Sequence, residues 1–436
     1  MSNAAPEAGL GDTFDLREVA LRRRRLDYRG RLRSFAEWCR QRRADGTALY
    51  NRLVTSPVDR TVTVWDPDVG REREMLMFGS NSYLGLSTHP YVLDRAAAAT
   101  AEYGVGAGGS PLLSGYSRLH AELEERLSAF KGKEATVLFQ SGYGANVGLL
   151  STLIEKRDTA FYDALSHAST VDGLKMAAGA SRPFRHNDAA ALDRLLDAHG
   201  AGDAFVCVEG VYSMDGDLAA LGEIVPVAGR HRALVVVDDA HGLGVTGRGG
   251  RGTADHFGVT DDVEAIMGTL SKAFGVAGAA VSGSRDLTDY LRFQARSCIF
   301  SSSLPVPSAA AVLAGLDLLE RDTSLVDRLH ANVRHLTGRL RALGFDLSPE
   351  SAVVAIRTPG GMDIQEAGRF FHRAGIFANA VLYPAVPVAE QRFRFSVTAT
   401  HMRGDLDRLA EVVGEVWARF SGGSEQHRAH SRGPLA

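Results

Sequence analysis

Thr269-Leu270-Ser271-Lys272-Ala273-Phe274-Gly275 is a short polar stretch that holds one lysine between an apolar, strand-like run, Val263 to Met267, and a glycine-rich turn. A lysine followed by small residues and Phe-Gly suits a side chain that must leave water, lose its proton and bond a carbonyl carbon. A lysine just past a strand is ordinarily a solvated loop residue. Which reading applies depends on what the flanking segments bring to it.

On both sides of this stretch the chain alternates short β-rich runs with helices. The runs lie at Ala135 to Phe139, Thr159 to Tyr162, Ala204 to Val208, Ala233 to Val237, Ala265 to Gly268 and Ala279 to Val281. Helical spacing marks Tyr91 to Tyr103, Leu119 to Phe130, Ala145 to Ile154, Ala189 to Ala198 and Ile224 to Arg230. Strands this short and apolar, separated by helices, predict an α/β fold with a mostly parallel sheet covered on both faces. Loops at the carboxyl ends of the strands should then carry the site.

Further out, Thr61 to Trp65 and Met75 to Phe78, separated by Asp66-Pro67-Asp68-Val69-Gly70, predict a hairpin entering the main domain. From Ala309 a helix-rich stretch runs through Leu318 and Leu336 to Leu343. It is followed by a strand at Ala352 to Ile356, a helix at Ile364 to Ala374, a strand at Arg392 to Thr398 and a helix at Leu406 to Phe420, which predict a smaller second α/β domain. The expected organisation is an extension over 1–75, a large domain over 76–308, a small domain over 309–420 and a disordered tail over 421–436, with residues 1 to about 15 also mobile. Asp15 to Arg43 reads as a basic helix, with Arg22, Arg23, Arg24, Arg25, Arg29, Arg31 and Arg33 among Leu26, Tyr28, Leu32, Phe35 and Trp38. It suits a solvated helix lying along the body; a membrane surface or an acidic partner is the alternative.

Bulk properties narrow the class. A chain of 436 residues with 45% hydrophobic and 23% charged residues is a globular protein too long for one ordinary core. A net charge of −3 gives no reason to expect nucleic acid as a partner. Cys39, Cys207 and Cys298 lack CxxC spacing, which fits packing residues in a reducing compartment and no metal site. No run approaches the roughly 18 apolar residues of a membrane span, so the cytoplasm is the expected location. Gly104 to Gly109 and Gly247 to Gly252 both fit GxGxxG, but the first follows a helix where a strand is required and the second lacks the apolar helix that should follow.

Three other strand ends carry more chemistry. Val235-Val236-Val237-Asp238-Asp239-Ala240-His241-Gly242 closes a buried run with two acids and a histidine. A carboxylate there can face a cationic ring, or simply cap the next turn. Asp163-Ala164-Leu165-Ser166-His167-Ala168-Ser169 places a histidine where its ring could stack on a planar group or serve structure alone. Gln140-Ser141-Gly142-Tyr143-Gly144-Ala145-Asn146 opens a helix with small residues, a seat for an anion or a tight turn. A phosphate seat, a stacking ring, an acid for a pyridinium nitrogen and a lysine for an aldehyde are together what pyridoxal 5'-phosphate needs.

From about Leu76 to about Phe420 the chain resembles the α-oxoamine synthases, fold-type I pyridoxal phosphate enzymes. The resemblance rests on SNSYLGL, GAGGSPLLSGY, SGYGAN, DALSHAS, EGVYSMDGD, VDDAHGLG, GTLSKAFG, FSSSLP and RFRFSVTATH in that order. It implies Lys272 as the Schiff-base lysine, Asp238 as partner of the pyridinium nitrogen and His167 as the stacking ring. His241 and Ser213 match positions bonding the cofactor's phenolic oxygen; Gly142, Tyr143 and Thr269 match its phosphate seat. Glu209 and Asn81 match positions near cofactor and substrate, and Arg394 matches the arginine that holds the amino-acid carboxylate. Ser302 matches a phosphate ligand given to the neighbouring subunit, which implies a homodimer with shared active sites.

The implied reaction is decarboxylative condensation of a small amino acid with an acyl thioester, giving an α-amino ketone. A guanidinium fork suits a carboxylate, and Arg392, two residues from Arg394 on the same strand face, is a reserve candidate. Pro111 stands where many members carry arginine. A proline cannot bind a phosphate or carboxylate, so the donor pocket is expected to be more apolar or to take a thioester on an acyl carrier protein, which the Arg-rich amino-terminal helix could meet. An aminotransferase or lyase would share the lysine, acid and ring, whereas a non-catalytic partner subunit would lack the lysine.

Overall fold

The computed structural model describes residues 26–44, 49–383 and 385–421. Its first strands, β1 (Thr61–Asp66) and β2 (Arg71–Met77), pair as an antiparallel hairpin. The chain then lays down β3 (Ala135–Phe139), β4 (Thr159–Asp163), β5 (Ala180–Phe184), β6 (Ala204–Glu209), β7 (Leu234–Asp238), β8 (Ala265–Thr269) and β9 (Ala279–Gly283). These seven form one sheet in the order β3-β9-β8-β7-β6-β4-β5. Strands β4 to β8 are parallel to one another, whereas β9 is antiparallel to both β8 and β3. The exception has a plain cause: residues 270–278 are too few for the crossover of a dozen or more residues that a parallel partner would need.

Period-two alternation divides the strands between two apolar layers. Phe205, Cys207, Val236, Ala265 and Met267 pack with Ala145, Leu149 and Leu150 of the helix Gly142–Leu153. Val206, Val208, Val235, Val237 and Ile266 face Leu192, Leu196, Ile224 and Ala228 on the opposite side. Continuing the first register by two residues puts Glu209, Asp238 and Thr269 at the carboxyl ends of β6, β7 and β8 on one face. The expected mostly parallel sheet, covered on both sides, is therefore present, and its alternation aims three polar side chains at one place.

Four later strands, β10 (Val353–Arg357), β11 (Ile376–Phe377), β12 (Asn379–Val381) and β13 (Arg392–Ser396), make two smaller sheets, β10-β13-β12 and β1-β2-β11. The hairpin thus does not enter the seven-stranded sheet. Strand β2 pairs parallel with β11, because its Met75 and Met77 join Val62 and Val64 in a separate small core against Phe377. Phe78 then stacks on His401 at 4.2 Å, and its carbonyl accepts from Ser396 N–H, tying the incoming chain to the end of β13.

The helix Tyr28–Ala44 buries only Trp38 and Arg42, the latter on Gln365, and Arg29, Arg31 and Arg33 stay exposed, as a solvated helix on the body should. Arg22 to Arg25, the first fifteen residues and all but Ser421 of the expected tail lie outside the described residues. The cysteines are free thiols; burial pushes Cys207 up to about 12. Among the described residues no helix is long and apolar enough to cross a membrane.

Candidate active site

Lys272 projects from a loop that is tightly closed around it. Leu270 N–H donates to Gly278 O at 2.9 Å, Val276 N–H to Leu270 O at 3.0 Å and Gly275 N–H to Lys272 O at 3.0 Å. Gly275 takes φ +72, which favours glycine, and a Cβ there would meet Ser87 at 2.6 Å. Leu270, Ala273 and Phe274 are buried on either side, so apolar packing holds the backbone while the half-buried lysine side chain is left to the site. Burial draws the amine down to about 8, against the upward pull of the Asp238 and Glu209 carboxylates and with the help of Arg394. Lys272 Nζ has no hydrogen-bond partner among the described residues.

Glu209 and Asp238 are register partners on β6 and β7. Burial and the neighbouring Asp238 carboxylate push Glu209 well up, while Lys272 and the backbone N–H groups of His167 and Ser213 pull the other way. Asp238 accepts from Ala240 N–H at 3.1 Å and from Asn146 Nδ2 at 2.6 Å. The same amide nitrogen donates to Ser169 Oγ at 2.9 Å, and that hydroxyl lies 2.7 Å from His167 Nδ1. Ser169 N–H also donates to His167 Nδ1 at 3.2 Å, which leaves the ring proton on Nε2. Acid and ring are therefore wired together, with the His167 ring itself exposed at the start of the helix Ala168–Met176. Asp239 faces away and is satisfied by Thr253 N–H at 3.0 Å and hydroxyl at 2.7 Å, so only the first acid of the pair belongs to the site.

Ser141 caps the helix Gly142–Leu153 by accepting from Gly144 N–H at 3.0 Å. The N–H groups of Gly142 and Tyr143 have no partner among the described residues, and the Tyr143 hydroxyl is drawn aside to Asp172 at 2.6 Å. A Cβ on Gly142 would lie 2.2 Å from Thr269 Cγ2, so the glycine keeps Thr269 against the helix start. Free N–H groups at the positive end of a helix, beside a hydroxyl, are a seat for a phosphate.

On the other side, Arg394 Nη2 donates to Asn81 Oδ1 at 3.0 Å and approaches Tyr83 OH at 3.4 Å. Arg394 is buried and its Nε has no partner, an unsatisfied donor beside the occupied Nη2. Tyr83 OH lies 2.7 Å from His241 Nδ1, joining the arginine to the strand end that carries Asp238. Burial, Lys272, Arg394 and His167 hold His241 well below its usual range, so it is a neutral ring. Arg392 is excluded as the free cation: it is occupied by Asp215, by Glu390 Oε2 at 3.1 Å and by Glu390 O at 2.9 Å.

Ser302 is elsewhere. It is exposed, beside Pro111, Tyr116, His120 and Ser297 around a cavity of about 20 Å³, whose lining includes none of the other candidates. Three residues that sequence reasoning passed over, Tyr83, Asn146 and Ser169, connect the others. Each lies inside a motif quoted above, but bonds to a partner distant in sequence.

A family model described as aminotransferase class I and II matches residues 73–413. The chain is similar to a serine palmitoyltransferase from Bacteriovorax stolpii, 38% identical over 368 residues, 84% of this chain and 86% of that protein. It is also similar to an 8-amino-7-oxononanoate synthase from Geotalea daltonii, 41% identical over 349 residues, 79% of this chain and 89% of that protein. The chain belongs to the α-oxoamine synthases. Among solved structures, the serine palmitoyltransferase from S. paucimobilis with bound PLP–myriocin aldimine has a TM-score of 0.85 at 28% identity and covers 90% of this chain and 99% of that one. The synthase is thus a fold-type I, pyridoxal phosphate-dependent acyltransferase, and its own residues fit that cofactor: an anion seat that a Cβ would close, an acid linked through Asn146 and Ser169 to an exposed ring, and a lysine drawn toward neutrality.

Gly142→Ala should weaken pyridoxal phosphate binding to apoenzyme at least tenfold in an absorbance titration while leaving the fold intact by circular dichroism. In wild type, the rate of cofactor capture should rise as pH passes upward through about 8, where the Lys272 amine loses its proton, and Lys272→Ala should show no capture at any pH.

Proposed function

We propose that Lys272, Asp238, His167, His241 and Arg394 carry the condensation of a small L-amino acid with an acyl thioester, releasing carbon dioxide and free thiol and leaving an α-amino ketone. The observation that carries this reading is the buried, unpartnered Nε of Arg394, whose Nη2 is held by Asn81 and Tyr83 and which acts with Lys272 on the same His241 ring. Pyridoxal phosphate, held through its aldehyde by Lys272, supplies an electron sink for the charge that develops at the amino acid's α-carbon. Asp238 keeps a proton on the ring nitrogen, and Asn146 fixes the angle of that carboxylate. His167 would cover the cofactor, neutral His241 and Ser213 would lie at its phenolic oxygen, and Gly142, Tyr143 and Thr269 would hold its phosphate. Arg394 would take the substrate carboxylate and so orient the α-carbon. The Lys272 amine would remove the α-proton and later return one. Holoenzyme given glycine, L-alanine or L-serine with acyl thioesters should release carbon dioxide and thiol in equal amounts, with the ketone seen by mass spectrometry. Arg394→Gln should raise KM for the amino acid by about 100-fold, the loss of a charge-assisted bidentate contact; amino acid converted without thiol release would overturn the reading.

The synthase also acts, in this reading, as a homodimer whose sites are shared. Val105, Leu113 and Phe300 are 81%, 86% and 74% exposed, on two loops that Ser303 N–H joins to Gly109 O at 2.9 Å, and Ser302 sits between them. Large apolar side chains around a polar residue with no role in its own chain suit an interface between copies. Leu113→Asp should convert a dimer to a monomer in sedimentation and lower cofactor affinity; a wild-type monomer with full activity would count against it.

The donor is read as a thioester on a carrier protein. Pro111 offers neither charge nor N–H to a phosphate, and Arg29, Arg31 and Arg33 stand exposed for an acidic partner. Replacing these three arginines by serine should lower kcat/KM for a carrier-bound donor several-fold at low salt and leave a CoA donor unchanged. Equal turnover of both donors, insensitive to the change, would dismiss the carrier.

A further inference from the structure

We propose that His186, outside the set of residues that touch cofactor or substrate, is a positioning residue: it clamps the loop carrying His167 to the loop carrying Ser213 and, through that loop, to the strand carrying Arg394. The inference rests on the pyridoxal phosphate reading of the site. His186 stands just past β5, with Nδ1 3.1 and 3.2 Å from the two oxygens of Asp163 and Nε2 2.8 Å from Asp217 Oδ2. Ionised carboxylates only accept, so a ring that bridges two of them carries a proton on each nitrogen. Burial opposes that charge, but Asp163 and Asp217 outweigh it and push His186 up to about 10. The Tyr212 ring meets the imidazole edge-on at 4.4 Å, and Asn187 Nδ2 lies 3.5 Å from its Nε2.

Each end of the bridge leads to the site. Asp163 ends β4, and its Oδ1 accepts from Leu165 N–H at 2.8 Å, shaping the turn that delivers His167 two residues later. Asn187, at φ +52, donates its N–H to Asp163 Oδ2 at 2.9 Å and its amide to Leu218 O at 2.9 Å, and accepts from Ala220 N–H at 3.0 Å. Asp217 belongs to the turn 212–217, closed by Tyr212 N–H to Asp217 O at 2.9 Å and Gly216 N–H to Tyr212 O at 2.8 Å, with Ser213 inside it. That turn is fastened in its other direction: Asp215 holds Arg392, two residues before Arg394 on β13, and Arg357 at 3.3 Å on β10. Ser351 Oγ donates to Gly216 O at 2.8 Å, and a Cβ on Gly216 would lie 2.4 Å from Val353 O. One imidazole therefore sets the spacing between the ring that covers the cofactor and the strand that holds the substrate carboxylate.

The test compares wild type, His186→Gln and Asp217→Asn by titrating apoenzyme with pyridoxal phosphate, and holoenzyme with whichever of glycine, alanine or serine perturbs the wild-type spectrum most. Wild-type binding of pyridoxal phosphate tests the reading on which the inference rests; the variant-to-wild-type ratios test the inference. His186→Gln should weaken both cofactor and amino acid by about tenfold, since an amide is uncharged and its two N–H groups share one nitrogen, whereas the imidazolium donates from opposite ends of its ring. Asp217→Asn removes one of the two carboxylates that raise the ring. The ratio of its cofactor affinity to that of wild type should therefore be near one at pH 6 and fall as pH rises through the lowered value, since Lys272 titrates alike in both while the wild-type His186 keeps its proton to near 10. Both ligand affinities within twofold of wild type in His186→Gln, or an Asp217→Asn ratio with no pH dependence, would reduce His186 to a structural residue and overturn the proposal.

Discussion

A lysine amine and two carboxylates are held out of water at the ends of β6, β7 and β8, and the surrounding structure is arranged so that this is tolerable. Burying such groups singly costs several kcal/mol each. Here Lys272 is lowered to about 8 while Glu209 is raised, so the two move toward sharing less charge between them. Asp238 instead takes fixed donors, Asn146 and the Ala240 N–H. The difference between the two acids, one left to the field of its neighbours and one given permanent hydrogen bonds, separates a group that can take up a proton from one placed to hold a cation opposite it.

That division depends on strand alternation. Glu209, Asp238 and Thr269 share a face because Cys207, Val236 and Met267 do, and the apolar packing of those residues beneath the helix Gly142–Leu153 fixes the register. A slip of one residue in β7 would present Asp239, whose partners Thr253 N–H and Oγ1 lie on the other side. The same packing seats the helix start over Thr269, where the absence of a side chain on Gly142 sets the distance between phosphate seat and sheet. Core and site are one construction.

The buried strands were legible because their apolar runs have no other use, and β3, β6 and β8 lie within one residue of the expected bounds. Strand β5 was not, since an edge strand pairs on one side only and Ala180–Phe184 is exposed apart from Phe184. The helix expected from Ala145 begins at Gly142, its first turn disguised by glycines, the first of which leaves room for Thr269. Lys272, Asp238 and His167 are each ordinary alone and could be named only as a set with an anion seat, and Arg394 only through the family resemblance. Asn146, Ser169 and Tyr83 could not, since the contacts by which they join the site reach partners 23 to 311 positions away that no local pattern announces. The choice between Arg394 and Arg392 likewise needed Asp215 and Glu390 in place, because the two arginines share a strand face and differ only in what already occupies them.

The position of Pro111 and Ser302 carries a last consequence. Within one chain they border a cavity too small for any donor and apart from Lys272, while the loops around them expose apolar side chains. If those loops meet a second copy, the residues that select the acyl donor and those that do the chemistry come from different chains. Donor preference can then change by substitution at Pro111 without disturbing the wiring from Asp238 to His167 or from Arg394 to His241, neither of which passes through these loops. The amino-acid side of the reaction has no such freedom. Arg394, Tyr83 and His241 form one connected path to the strand end bearing Asp238, so if Arg394 is the carboxylate partner proposed above, a change of amino acid would have to leave that path intact.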